Sequence, residues 1–131
     1  MWQRIQTVWW LLGILFCIVI LFFSYFNLST IFILQWIFIG FASICILINL
    51  ISIFLFKKRN VQKKLSLVNI ILSLLAILIQ VYFLDIQSLN NWIHIVGFQT
   101  ILFVLNIIFQ ILAIKGINAD VKVLKSMDRL R

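Results

Sequence analysis

One histidine, two cysteines and three acids are the groups in this chain able to attack a substrate, exchange disulfides or hold a metal: His94, Cys17, Cys45, Asp85, Asp120 and Asp128. Nucleophilic catalysis needs a base within hydrogen-bond reach of its partner, and Asp85 with His94, nine residues apart, is the one pairing that offers it. The plainer reading places His94 at a membrane interface among Asn90, Asn91 and Trp92, residue types that collect there. Cys17 and Cys45 fall well inside apolar stretches, where a thiol keeps its proton and packs as a small apolar group. Such isolated cysteines do not form the relay by which a thiol oxidoreductase passes electrons to a quinone. A proton-coupled exporter needs a carboxylate inside the membrane, and no acid of this sequence lies there. The sequence has no metal-ligand set, no phosphate-cradling glycine loop and no nucleotide motif. The expectation is a protein that is not an enzyme and uses no metal or cofactor.

A second set of residues carries more pattern. Asn69, Ser73, Ala76 and Gln80 are spaced 4, 3 and 4 apart, and Gln99, Phe103, Asn106 and Gln110 repeat that spacing. Gln35, Ala42 and Asn49 recur every seven residues, while Gly13, Cys17, Ile20 and Ser24 again follow 4, 3 and 4. Each set forms one face of a helix. A carboxamide facing lipid leaves donors and acceptors unpaired at a cost of several kcal/mol, so these faces are expected to turn inward. Gln35, Asn49, Asn69, Ser73, Gln80, Gln99, Asn106 and Gln110 then form either an inter-helix polar seam that holds a bundle together or the lining of a narrow groove for a lipid or small amphipathic solute. A seven-residue repeat predicts left-handed crossing near +20°.

The elements that carry these faces are read from charge. The eleven Lys and Arg residues cluster at Arg4, at Lys57, Lys58, Arg59, Lys63 and Lys64, and at five positions from Lys115 to Arg131. Between them, residues 8–26, 31–56, 65–84 and 92–114 contain no Asp, Glu, Lys or Arg and number 19, 26, 20 and 23. About 20 helical residues cross a bilayer core, so the chain is read as a single domain with four transmembrane spans and a tail at 115–131. Basic residues accumulate on the cytoplasmic side, which places both termini and the segment 57–64 there. Connections this short force successive spans to lie side by side and antiparallel. The expected fold is an all-α, up-down-up-down bundle of four transmembrane helices with a short cytoplasmic C-terminal helix. That last helix is expected over residues 119–130, after a stop at Lys115 and Gly116 and a new cap at Asn118.

Composition agrees with membrane residence: 65% hydrophobic residues, 11% charged, and no proline to break a span. The net charge of +8 belongs to flanks of spans rather than to a folded basic surface, which argues against nucleic acid and for the anionic inner leaflet. The first span is too long for a cleaved leader and lacks a small-residue cleavage site, so it is expected to be retained. Trp2, Trp9, Trp10, Trp36 and Trp92 sit near span ends, as interfacial anchors do.

The opening residues 2–7 (Trp-Gln-Arg-Ile-Gln-Thr), the central residues 54–62 (Phe-Leu-Phe-Lys-Lys-Arg-Asn-Val-Gln) and the ending residues 124–131 (Leu-Lys-Ser-Met-Asp-Arg-Leu-Arg) resemble an uncharacterised family of small four-span bacterial inner-membrane proteins, domain of unknown function 4293. The resemblance runs the length of the chain. It implies the cytoplasmic membrane of a Gram-negative bacterium and no known activity or catalytic residue. It also draws attention to the inner-face residues Gln3, Gln6, Arg4, Arg129 and Arg131, where an arginine fork could bind a carboxylate or lipid phosphate; ordinary positive-inside anchoring explains the arginines alone and is the favoured reading. Functionally, the expectation is an accessory or structural subunit of a larger membrane assembly, in envelope biogenesis or protein insertion, that contacts lipid and a protein partner. The alternative is a carrier or binding protein for a lipid or small amphipathic solute.

Overall fold

The computed structural model describes residues 2–27, 32–55, 57–87 and 93–130. They form four helices, α1 Trp2–Phe26, α2 Phe32–Phe54, α3 Arg59–Gln87 and α4 Ile93–Arg129, each with a segment long and apolar enough to cross a membrane. Each helix packs against its neighbour in sequence, and α1 also packs against α4, so the four close into a ring around one axis.

Buried positions repeat along every helix at alternating steps of four and three: residues 6, 10, 13, 17, 20 and 24 on α1, 35, 38, 42, 45, 49 and 52 on α2, 62, 66, 69, 73, 76 and 80 on α3, and 99, 103, 106, 110, 113, 117 and 120 on α4. This seven-residue repeat keeps one stripe of each helix turned to its partners. Many Leu, Ile and Phe side chains point the other way, as Phe22, Leu47, Leu78 and Ile101 do. Polar inside and apolar outside is the arrangement lipid favours, because every helix satisfies its own backbone and only side chains need partners.

The helix ends differ most from the sequence reading in two places, beyond α1 starting at Trp2 and α3 running on to Gln87. Residues 57–64, expected to connect the second and third spans, are mostly helix: α3 begins at Arg59, and Lys63 and Lys64 ride on its first turns. Charge marks where lipid ends but does not break a helix, and Lys, Arg and Gln are good helix formers. The corner is a short turn closed by bonds from Lys58 N–H to Leu55 C=O (3.0 Å) and from Val61 and Gln62 N–H to Lys58 C=O (3.0 and 3.1 Å). Gln62 Nε2 then donates to the Ser52 carbonyl at 2.8 Å, satisfying an acceptor in the last turn of α2.

The second correction concerns the C-terminal helix. No stop occurs at Lys115 and Gly116; α4 continues unbroken to Arg129, and its buried stripe passes through Ala113, Ile117 and Asp120 without a change of spacing. Gly116 serves close approach instead of termination. A Cβ there would meet Gln6 Cγ at 3.1 Å, so the missing side chain is what lets the start of α1 lie against α4. At 37 residues, α4 is about 55 Å long and outruns a hydrocarbon core of about 30 Å.

Candidate functional site

The polar residues of the four seams gather into tiers along the axis. In the first, Gln6 Nε2 donates to Asp120 Oδ2 at 2.9 Å, and Trp10 Nε1 reaches across the bundle to Ser66 Oγ at 3.2 Å. Gln6, Ser66 and Asp120 are all buried.

In the second tier Asn49, Asn69, Asn106 and Gln110, one or two from each of α2, α3 and α4, meet, with Asn49, Asn106 and Gln110 against Gly13 of α1. Asn49 Oδ1 accepts from Asn69 Nδ2 at 2.8 Å and from Gln110 Nε2 at 2.7 Å. Asn106 Nδ2 donates to Ser73 Oγ at 3.0 Å and, more weakly, to Asn69 Oδ1 at 3.3 Å. Gly13 makes room for this cluster: a Cβ there would lie 3.0 Å from Asn106 Oδ1, 3.2 Å from Asn49 Nδ2 and 3.3 Å from Gln110 Nε2. Sequence spacing placed Gly13 on the seam, but only the assembled helices reveal that three carboxamides converge on it.

The third tier lies toward the other end. Gln99 Nε2 donates to Ser24 Oγ at 2.9 Å and to Gln35 Oε1 at 3.0 Å, joining α4 to α1 and α2. Gln80 Nε2 donates to the Val96 carbonyl at 3.0 Å, and Thr100 Oγ1 donates to Gln80 Oε1 at 2.9 Å, which ties in α3. Ser24, expected on the α1 seam, takes part here; Thr100 extends the polar set at this end, and Gln6, Gln62 and Asp120 extend it at the opposite end. All three are polar residues at seam positions; reading the spans as starting at residue 8 or 65 and ending at 114 hid them.

Between the second and third tiers runs an apolar band of Ile20, Phe38, Ala42, Ala76 and Phe103, all fully buried. Phe38 on α2 and Phe103 on α4, helices that face each other diagonally, bring their rings to 6.3 Å between centroids at 57°. Both rings are fully buried within the bundle. This hydrocarbon plug separates the third polar tier from the first two. Within the clusters Gln35 Nε2, Asn49 Nδ2, Asn106 Oδ1 and Gln110 Oε1 are buried without a hydrogen-bond partner among the described residues.

Cys17 and Cys45 are free thiols, both buried in the bundle, and Cys45 Sγ lies 4.0 Å from Ser73 Oγ. His94 is exposed, and the Asp85 side chain lies outside what is described, as do those of Arg4, Arg131 and Trp92. No group of three or more His, Cys, Asp or Glu residues that would hold a metal occurs among the described residues. Of the basic residues, Lys57, Lys58 and Lys64 are exposed, whereas Lys63 and Arg59 are half-buried. Lys57, Lys58 and Arg59 face the last turns of α4 across a groove of about 480 Å³ that also includes Val121, Leu124, Lys125 and Asp128. Arg129 is exposed near the end of α4.

No curated protein and no solved structure matches the chain. Similarity to a known family covers residues 28–130, which takes in α2, α3 and α4; the motif at residues 2–7 lies outside it. That family is described as a domain of unknown function (DUF4293), and the chain belongs to it.

Proposed function

We propose that this integral membrane protein is a non-enzymatic accessory or structural subunit of a larger assembly in the bacterial inner membrane, with a role in envelope biogenesis or protein insertion. The observation that carries this reading is the pairing of the interior polar groups with one another on either side of the Phe38 and Phe103 plug. Groups that satisfy each other hold helices together; recognition is then left to the outside. That outside has Phe- and Ile-rich faces, with Phe22 and Phe54 among the exposed residues, and a basic end formed by the α2–α3 corner and the end of α4.

The helices alternate in direction, with both termini and the basic corner in the cytoplasm. Support for alternation comes from the order of partners: Gln6 pairs with Asp120 and Ser24 with Gln99, while Ser52 pairs with Gln62 and Cys45 with Ser73. Clustering of basic residues at one end supports the orientation. An impermeant amine- or thiol-reactive label applied outside intact cells is expected to miss residues 57–64 and to reach cysteines placed at residue 29 or 90. Extraction in mild detergent is expected to bring down a partner in fixed ratio, and a lone monomer from native membrane counts against the subunit reading.

A second reading, a carrier for a lipid or small amphipathic solute, draws on the four unpartnered amide atoms in the second and third tiers. Lipid-like density within the bundle of the purified protein would favour it, and a dry axis would eliminate it.

A further inference from the structure

We propose that the groove between the α2–α3 corner and the last turns of α4 is a binding site for the phosphodiester headgroup of an anionic phospholipid. This goes beyond the subunit reading and does not depend on it.

The groove lies just past Phe54, the last residue of the apolar span Ile33–Phe54. Four cations line it, Lys57, Lys58, Arg59 and Lys125, against one carboxylate, Asp128. Arg59 is the first residue of α3, a 29-residue helix, so the positive end of that helix opens at the same place. Arg59 is half-buried in the wall of the groove, and a phosphate oxygen is the acceptor a guanidinium fork fits best.

The remaining lining identifies the source of the phosphate. Val61, Val121 and Leu124 give the groove apolar walls, which a free phosphate does not use and a glycerol backbone with acyl chains does. Basic pockets between helices at the cytoplasmic face suit anionic headgroups for this reason. Asp128 disfavours a second negative charge, so a singly charged diester fits better than a doubly charged monoester. The site exists because α4 continues past Gly116: a helix ending there leaves Lys125 and Leu124 with no fixed position beside α3.

The test is native mass spectrometry of the full-length chain in detergent with equal amounts of phosphatidylglycerol and phosphatidylcholine. The expected result is retention of phosphatidylglycerol over phosphatidylcholine by about tenfold, lost on Arg59→Gln and on Lys58→Gln combined with Lys125→Gln, since charge-assisted bonds are the strong ones. Arg59→Lys should retain part of the preference. Lys64→Gln, an exposed cation outside the groove, should retain all of it. Millimolar inorganic phosphate should fail to displace the lipid. Circular dichroism confirms that each variant is folded before it is scored. The proposal is overturned if Arg59→Gln and the double variant bind as the parent does, or if Lys64→Gln weakens binding as much, which makes the effect diffuse surface charge. Displacement by inorganic phosphate assigns the site to a free anion, and displacement by an acidic peptide assigns it to a protein; either outcome also overturns it.

Discussion

Replacing Asn49 with alanine tests whether the second polar tier is a closed network. Asn49 Oδ1 is the shared acceptor for Asn69 Nδ2 and Gln110 Nε2. Removing it deletes two inter-helix bonds, each contributing about 0.6 kcal/mol in membrane proteins. It also strands Gln110 Nε2, a buried donor with no further partner among the described residues, at about 1–3 kcal/mol. Two features soften the loss. Asn69 Nδ2 keeps a long contact with the Cys45 carbonyl at 3.4 Å, and the unpartnered Nδ2 of Asn49 itself disappears. The expected destabilisation is about 2–3 kcal/mol. Adding Gln110→Leu removes the stranded donor, so the double variant should be at least about 1 kcal/mol more stable than the sum of the single changes predicts. The assay is unfolding in mixed micelles of dodecyl maltoside and dodecyl sulfate, followed by tryptophan fluorescence, for which the buried Trp10 is a natural probe. A water-filled groove behaves otherwise, because water replaces any lost partner. A single-variant cost below about 0.5 kcal/mol together with additivity within about 0.3 kcal/mol would refute the closed network.

Three further outcomes are expected with the same assay. Gly13→Leu should destabilise by about 1–3 kcal/mol through overpacking against Asn106, Asn49 and Gln110, whereas Gly40→Ala and Gly97→Ala, whose new Cβ meets nothing within 4 Å, should stabilise by about 0.5–1 kcal/mol through helix propensity. Gln6→Ala should cost about 1–3 kcal/mol because the buried Asp120 carboxyl loses its donor at 2.9 Å, and amide hydrogen exchange should rise in residues 117–129 ahead of the rest of α4. Phe103→Ala should cost about 3 kcal/mol, near the low end for such truncations, since lipid supplies no hydrophobic drive; it also opens the plug beside Phe38, so Gln99 and Asn106 should become accessible to water.

Much of the arrangement was legible beforehand because a membrane helix is a local object. Spans 8–26 and 31–56 became α1 and α2 within a few residues, except that the α1 helix starts at Trp2. The eight seam residues from Gln35 to Gln110 are all buried, as inward-turning amides must be. The misplaced features are those at which charge or glycine was read as a helix boundary. Lys63 and Lys64 remain helical since their side chains reach water without unwinding the backbone. Gly116 stays in mid-helix because Gln6, 110 residues earlier in the chain, occupies the space its side chain vacates.

Sequence alone therefore determined the number of spans, the face each helix turns inward and the membrane setting, because lipid imposes self-satisfied helices and hides carboxamides whatever the neighbouring helices do. Tertiary structure decided which amide meets which, the Phe38 and Phe103 plug that divides the seam, and the basic groove assembled from Lys58, Arg59 and Lys125. Those contacts join residues as far apart as Gln6 and Asp120. Their geometry depends on the rotation and offset of whole helices, and periodicity within one segment carries no information about either.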